Sequence, residues 1–289
     1  MDQDKMNIQW YPGHMTKTRR QIEADLKLVD AVCEIVDARI PVSSRNPDID
    51  SICGNKPRIV ILNRMDLADP AATKRWADYF KKKGMAAVPT DCKSRKGIAD
   101  FQPAVRSILK EKIERNAAKG MNKPVRVMVV GIPNVGKSTL INQISGRKGA
   151  KAENRPGVTR GKQWVTVDNG LLLLDTPGIL WPKFEDPEVG MMLAYTGAVK
   201  DGIMDIEELA CYLIRLLHLR YPAALKDRYG IDVEEDIPGY ELLEMAGRKR
   251  GFLISGGEIN TERMAMVLLD EYRSGKLGRF TLEEPEETT

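Results

Sequence analysis

Up to about residue 180, short apolar runs alternate with stretches in which apolar residues recur every three or four positions. Ala31–Val36, Arg58–Leu62 and Ala86–Val88 are rich in Val, Ile and Ala and bounded by turn residues, the pattern of buried strands. Val125–Val130 and Leu171–Leu174 are stronger runs of the same kind, and Trp164–Val167 reads as a further strand. Between them, Thr73–Lys83 and Asp100–Asn116 carry helical periodicity, and residues 15–29 place Ile22, Leu26 and Val29 on one stripe of an amphipathic helix. Strand and helix alternating in this way predict an α/β fold, a mostly parallel sheet with helices on both faces.

The pattern changes after Pro187. Ile206–Leu219, Tyr240–Ala246 and Thr261–Ser274 are helical, and no strand-like run of comparable quality follows. The chain therefore divides into an α/β domain over 1–187, a small all-α domain over 188–282 and an acidic stretch, 283–289, that reads as a disordered tail. Residues 117–123 contain a glycine and read as a linker, part of a join over 110–123 between the first three strands and the next unit.

Length and composition support a folded chain: 289 residues, 42% hydrophobic and 30% charged. No apolar run reaches the ~18 residues that a membrane span needs. The first residues, MDQDKMNIQWYPGHM, have no secretory apolar region, and the four cysteines, Cys33, Cys53, Cys92 and Cys211, lack metal-ligand spacing. The expected address is cytoplasmic. Net charge is only +4, but it is unevenly spread. Residues 1–187 hold 33 Lys and Arg against 21 Asp and Glu, whereas 188–289 hold 12 against 20. A basic first part suits contact with a polyanion.

The sharpest motif is Gly131-Ile132-Pro133-Asn134-Val135-Gly136-Lys137-Ser138, which satisfies G-x-x-x-x-G-K-[ST] between a predicted strand and the helical stretch from Thr139. Its glycines let backbone N–H groups converge on phosphate oxygens at a helix N-terminus. Lys137 then neutralises the β- and γ-phosphates, and the Ser138 hydroxyl ligates Mg²⁺. Leu171–Leu174 runs into Asp175-Thr176-Pro177-Gly178. A carboxylate ending a buried strand can hold Mg²⁺ through water, and Gly178 allows its N–H to approach the γ-phosphate. The intervening Arg155-Pro156-Gly157-Val158-Thr159-Arg160-Gly161 offers Thr159 to complete the Mg²⁺ shell. Read alone, each of the last two stretches is also an ordinary turn or loop.

Base identity is read from Asn63-Arg64-Met65-Asp66, at the end of the strand Arg58–Leu62. A carboxylate such as Asp66 accepts from both N1–H and the 2-amino group of guanine, and adenine has no such donor pair. Asn63 can tie the surrounding loops together. The stretch resembles the N-K-x-D motif of translation-factor-type GTPases with arginine in place of lysine, and Arg64 can still stack on a purine. Thr90-Asp91-Cys92-Lys93 is similar, more loosely, to the S-A-K loop that contacts guanine O6. Asp91, Cys92 and Lys93 fall on its three residues.

The base-recognition loops precede the phosphate loop, the reverse of the ordinary GTPase order, so the nucleotide domain is circularly permuted. Ligands of open α/β sheets sit outside the strand C-termini whatever the chain order, so one site survives the rearrangement. This order, with Trp10-Tyr11-Pro12-Gly13-His14-Met15 and Asp37-Ala38-Arg39-Ile40-Pro41, closely resembles the bacterial ribosome biogenesis GTPase A family, the YlqF type, from residue 9 to about 280.

The resemblance implies a GTPase acting late in assembly of the large ribosomal subunit, stimulated by that subunit, with a helical C-terminal domain that contacts ribosomal RNA. It also implies a catalytic role for His14. Ile179 and Leu180, which follow Gly178, cannot orient water, and histidine is chemically suited to do so. Similar GTPases with asparagine at the position of Asn134 bind K⁺, whose charge replaces an arginine finger. Arg248-Lys249-Arg250 is a candidate grip on RNA phosphates. Two other readings stay open: a binding module gated by GTP in which turnover is incidental, and an ATP-using P-loop enzyme, against which Asp66 argues.

Overall fold

The computed structural model describes residues 20, 22–146, 163–168, 170–176, 186–199, 205–233 and 235–286. Each apolar run predicted as a strand is one: β1 (Ala31–Asp37), β2 (Arg58–Asn63), β3 (Ala86–Pro89), β4 (Val125–Gly131), β5 (Gln163–Asp168) and β6 (Leu171–Asp175). They form one sheet in the order β3-β2-β1-β4-β6-β5. All neighbours are parallel except the β5–β6 pair. β1 is buried along its whole length, as a central parallel strand covered on both faces must be. Its register sets Asp37 beside Asn63 and Ile35 beside Gly131, and β4 in turn sets Val129 beside Asp175. The ends of four strands that carry candidate chemistry therefore lie along one edge of the sheet.

On one face, Val32, Met128, Val130 and Leu174 pack with Ile22, Leu26 and Val29 of the first helical stretch and with Ile49 and Cys53 of α1 (Ile49–Cys53). Val36, Val60 and Leu62 pack with Trp76, Ala77 and Phe80 of α2 (Pro70–Lys82). Full burial of such a side chain contributes roughly 1.5–3 kcal/mol, so the predicted stripe at Ile22, Leu26 and Val29 helps hold the described helical residues, which end in a 3-10 turn at Leu26–Leu28, against the sheet. The alternate strand positions, Cys33, Ile35, Ile59, Ile61, Val127 and Val129, are equally buried. α2 starts at Pro70, earlier than its apolar periodicity suggests, because Asp69 caps it by accepting from the Ala72 N–H at 2.8 Å.

The structure departs from expectation between β3 and β4. The predicted helix over 100–116 is two helices, α3 (Phe101–Ile108) and α4 (Lys110–Ala118), separated at the buried Leu109. The join over 110–123 is therefore helical through Ala118. α4 buries none of its residues, and its Lys, Glu, Arg and Ala content carries it by propensity. α5 (Lys137–Ser145) follows the phosphate loop.

Among the described residues, the chain divides into two compact units, one running to 176 and resuming at 281, the other spanning 186–280. The second contains α6 (Pro187–Tyr195), α7 (Ile206–Arg220), α8 (Pro222–Tyr229), α9 (Gly239–Lys249) and α10 (Thr261–Ser274). The periodicity misses α6 and α8, although each opens with proline at its first turn. Gly239 lies so close to the Cys211 carbonyl on α7 that a Cβ there would overlap it. In this unit, buried Glu271 accepts from Arg228 and Arg250 and, at 2.7 Å, from the Tyr229 hydroxyl.

The acidic stretch from Glu283 is not disordered at its start. Leu282 N–H donates to the Arg39 carbonyl at 2.8 Å. The Glu283 carboxylate accepts from the Val42 N–H at 2.6 Å, the Ser43 N–H at 3.0 Å and the Ser43 hydroxyl. Trp76 Nε1 donates to the Glu283 carbonyl at 3.0 Å, and Arg75 pairs with Glu284. Composition misleads here because the Glu283 carboxylate meets a turn that presents N–H groups, and its backbone carbonyl meets a buried indole that needs an acceptor.

Candidate nucleotide site

At the C-terminal edge of the sheet, three loops are tied to one another by side chains that the sequence singles out. Asn63, buried at the end of β2, donates through Nδ2 to the Val135 carbonyl of the phosphate loop at 2.7 Å. Its Oδ1 accepts from the Cys92 N–H at 3.2 Å and from the Thr90 hydroxyl at 3.4 Å. One amide thus joins residues from β2, the loop after β3 and the loop after β4. Met65 N–H adds a bond to the Thr90 carbonyl at 3.1 Å.

Arg64 makes the parallel contact one residue on. Its guanidinium donates to the Asn134 carbonyl at 2.7 Å and lies 3.5 Å from the Asp37 carboxylate. Arg64 and Asn134 both have φ of 61°, a conformation that costs a non-glycine residue about 1–2 kcal/mol and persists only where surrounding contacts hold it. The edge of the Arg64 guanidinium thus holds the phosphate loop, a contact that the sequence does not announce. Asp66 is exposed, and its charge acts on Cys92.

In the second base loop, Asp91 and Cys92 are buried and Lys93 is exposed. The Asp91 carboxylate accepts from the Lys93 N–H at 2.8 Å, and the Asp91 N–H donates to the Lys96 carbonyl. Burial raises the Asp91 carboxyl, but bonds from Ser94 and Lys93 outweigh it and hold the group below the usual carboxylate range. Cys92 is pushed up to about 12 by burial, so it fills space as a neutral thiol.

The phosphate loop needs its glycines for identifiable reasons. Gly136, with φ of 105°, opens α5, and a Cβ there would collide with Asn63 Nδ2. Gly131 faces the Ile35 carbonyl and side chain just as closely. Lys137 is nearly buried and ion-paired to Asp175, also buried, while Ser138 and Thr139 are half-buried at the start of α5. Thr176 donates to the Val129 carbonyl at 2.8 Å, which holds the β6 exit against β4. The buried Asp175 carboxylate and the Ser138 hydroxyl suit Mg²⁺, which takes one or two carboxylates and completes its shell with phosphate and water. His14, Thr159 and Gly178 lie outside the described residues.

Residue-level reading misses Asp37 and Arg39 as parts of this site. Arg39 is fully buried and grips both Asp37 oxygens, at 3.0 and 2.8 Å. Burial raises the Asp37 carboxyl, but Arg39 and Arg64 together hold it below its ordinary range. The available signal is two opposite charges at the exit of β1, Asp37-Ala38-Arg39.

Comparisons with known proteins find relatives along nearly the whole chain. A family model described as "50S ribosome-binding GTPase" matches residues 126–229. A protein of Priestia megaterium named "Ribosome biogenesis GTPase A" is 51% identical over 98% of this chain and 98% of its own, and the Thermotoga maritima protein of that name is 34% identical over 98% and 96%. Solved structures of a GDP-bound YlqF and of GNP-bound YlqF from T. maritima match with TM-scores of 0.62 and 0.60. Each is 30% identical and covers 93% of this chain, which spans 100% and 99% of theirs. With the three loops converging as described and identity at this level over nearly the whole length, the chain belongs to the ribosome biogenesis GTPase A family.

Proposed function

We propose that this GTPase of ribosome assembly is a switch that docks on the large-subunit precursor with GTP bound and is released after hydrolysis. The observation that carries the nucleotide part is Asn63, whose one side chain ties the base-reading loops to the phosphate loop. In this reading Asn63, Arg64, Met65 and Asp66, with Asp91, Cys92 and Lys93, form the guanine end. Asn134 to Thr139 hold the phosphates, with Lys137 leaving Asp175 for the nucleotide. Ser138, Asp175 and Thr159 would hold Mg²⁺, which when bound neutralises charge on the phosphate oxygens. Gly178 offers its N–H to the γ-phosphate.

His14 orients the attacking water, since Ile179 and Leu180 offer no polar group. Asn134 takes K⁺, whose charge stands in for an arginine finger. The helical unit over 188–282 contacts ribosomal RNA, with Arg248 and Lys249 as its exposed basic pair, because Arg250 is engaged by Glu271. The test is GTP turnover with and without purified large subunits. The proposal expects strong stimulation, and equal rates would leave a gated binding module instead. Running the assay in K⁺ and in Na⁺ decides the second cation, because equal turnover in both excludes a role for K⁺.

A further inference from the structure

Thr281 is 1% exposed and stands at the point where the chain rejoins the nucleotide unit. Its hydroxyl donates to the Ala38 carbonyl at 3.3 Å and accepts from the Asp69 N–H at 3.2 Å. Asp69 closes the loop that Asn63 opens, and Asp66 lies between them. Two routes, one of hydrogen bonds and one that includes an ion pair, run from this strap, residues 281–284, to the phosphate loop. In the first, Ala38 N–H donates to the Asn63 carbonyl at 2.8 Å, and the Asn63 side chain reaches the Val135 carbonyl. In the second, Leu282 N–H holds the Arg39 carbonyl, Arg39 holds Asp37, and Arg64 links Asp37 to the Asn134 carbonyl. The routes end on two successive phosphate-loop carbonyls.

We infer that Thr281 is a positioning residue for the nucleotide site: its hydroxyl seats both ends of the guanine-reading loop and, through that loop, the phosphate loop. The inference rests on the reading of residues 63–66 and 131–138 as nucleotide-binding loops. The physical warrant is that loops lack the repeating ladder of a helix or sheet, so single buried bonds set their position. A hydroxyl that donates to one segment and accepts from another fixes their separation, and removing it leaves both groups without that partner.

The test is release of a fluorescent GDP analogue from the full-length protein. Thr281→Val keeps the shape and removes the hydroxyl. It should release the analogue at least about five-fold faster, the lower end of coupling between distinct sites. Thr281→Ser should restore the wild-type rate. Glu284→Ala should leave it unchanged, because its exposed pair with Arg75 lies off both routes. Amide exchange should quicken over residues 63–69 in Thr281→Val but not in β4, whereas a general loss of stability would quicken both. Wild-type release from folded Thr281→Val overturns the inference, as does equal acceleration by Glu284→Ala. If Thr281→Val does not fold, Thr281→Cys keeps the volume and weakens both bonds of the hydroxyl. It must quicken release in the same direction, and a wild-type rate there also overturns the inference. A wild-type protein that holds no guanine nucleotide defeats the site reading itself, whereas binding with unchanged variants defeats the inference alone.

Discussion

Asp66 is exposed at the mouth of a loop that Asn63 and Met65 anchor from behind. That division of labour suits a base reader: the carboxylate stays available while its neighbours absorb the cost of holding the turn. Asp66→Asn reverses one donor–acceptor relation, so it should weaken GTP binding by at least about 100-fold and favour xanthosine triphosphate, since a site built around a hydrogen bond rejects the analogue that cannot make it. Competition binding with the two nucleotides measures this, and an unchanged preference would remove Asp66 from base recognition. The motif around Asp66 was legible in sequence because its chemistry is local. What Arg64 does was not, since its partners, Asn134 and Asp37, come from two other strand ends.

At the scale of elements, the helices α8, α9 and α10 meet over Glu271. The Arg228 bond, with Tyr229 and Arg250, outweighs burial and holds the Glu271 carboxyl below the ordinary glutamate range. A carboxylate depressed in this way adds stability above its unfolded-state pKa, near 4.3, and loses it as pH falls through the lower folded value. Glu271→Gln should therefore cost the helical unit about 1.5–3 kcal/mol near neutral pH, the range for hydrogen bonds to a charged group. The gap to wild type should narrow on acidification. Thermal unfolding of the full chain at pH 7 and near pH 4 checks both parts, and a gap independent of pH would show that the charge is not what these partners recognise. The same contacts explain why Arg248-Lys249-Arg250 overstates the free positive charge when read along the chain.

Over the whole molecule, the helical unit is bracketed in sequence by two parts of the nucleotide unit, Asp175-Thr176 before it and the strap from Thr281 after it. The stretch proposed to sense the γ-phosphate and the contact proposed to position the site thus stand at its two ends in sequence. The +12 balance of residues 1–187 against −8 beyond them places the net positive charge on the nucleotide side. If RNA phosphates supply the docking energy, association with large subunits in the GTP-analogue state should fall at least about ten-fold between roughly 50 and 200 mM salt, through counterion release. Co-sedimentation at the two salt concentrations measures it, and a flat response would shift the docking energy to apolar or protein contacts.

The order of apolar runs and the spacing of the phosphate-loop and N-R-x-D motifs were enough, by themselves, to set the α/β class and the permuted order, and to name the residues proposed for the guanine and phosphate ends. Strand burial and backbone approach to phosphate are short-range demands, satisfied within a few consecutive residues. Tertiary structure alone decided how the loops are held: Asn63 to Val135, Arg64 to Asn134, and Thr281 to Ala38 and Asp69. It also broke one predicted helix at Leu109, and it gave Glu283 and Glu284 partners that composition reads as absent. Those outcomes turn on which distant donor a buried acceptor meets, and that pairing exists only once the sheet has brought its strand ends together.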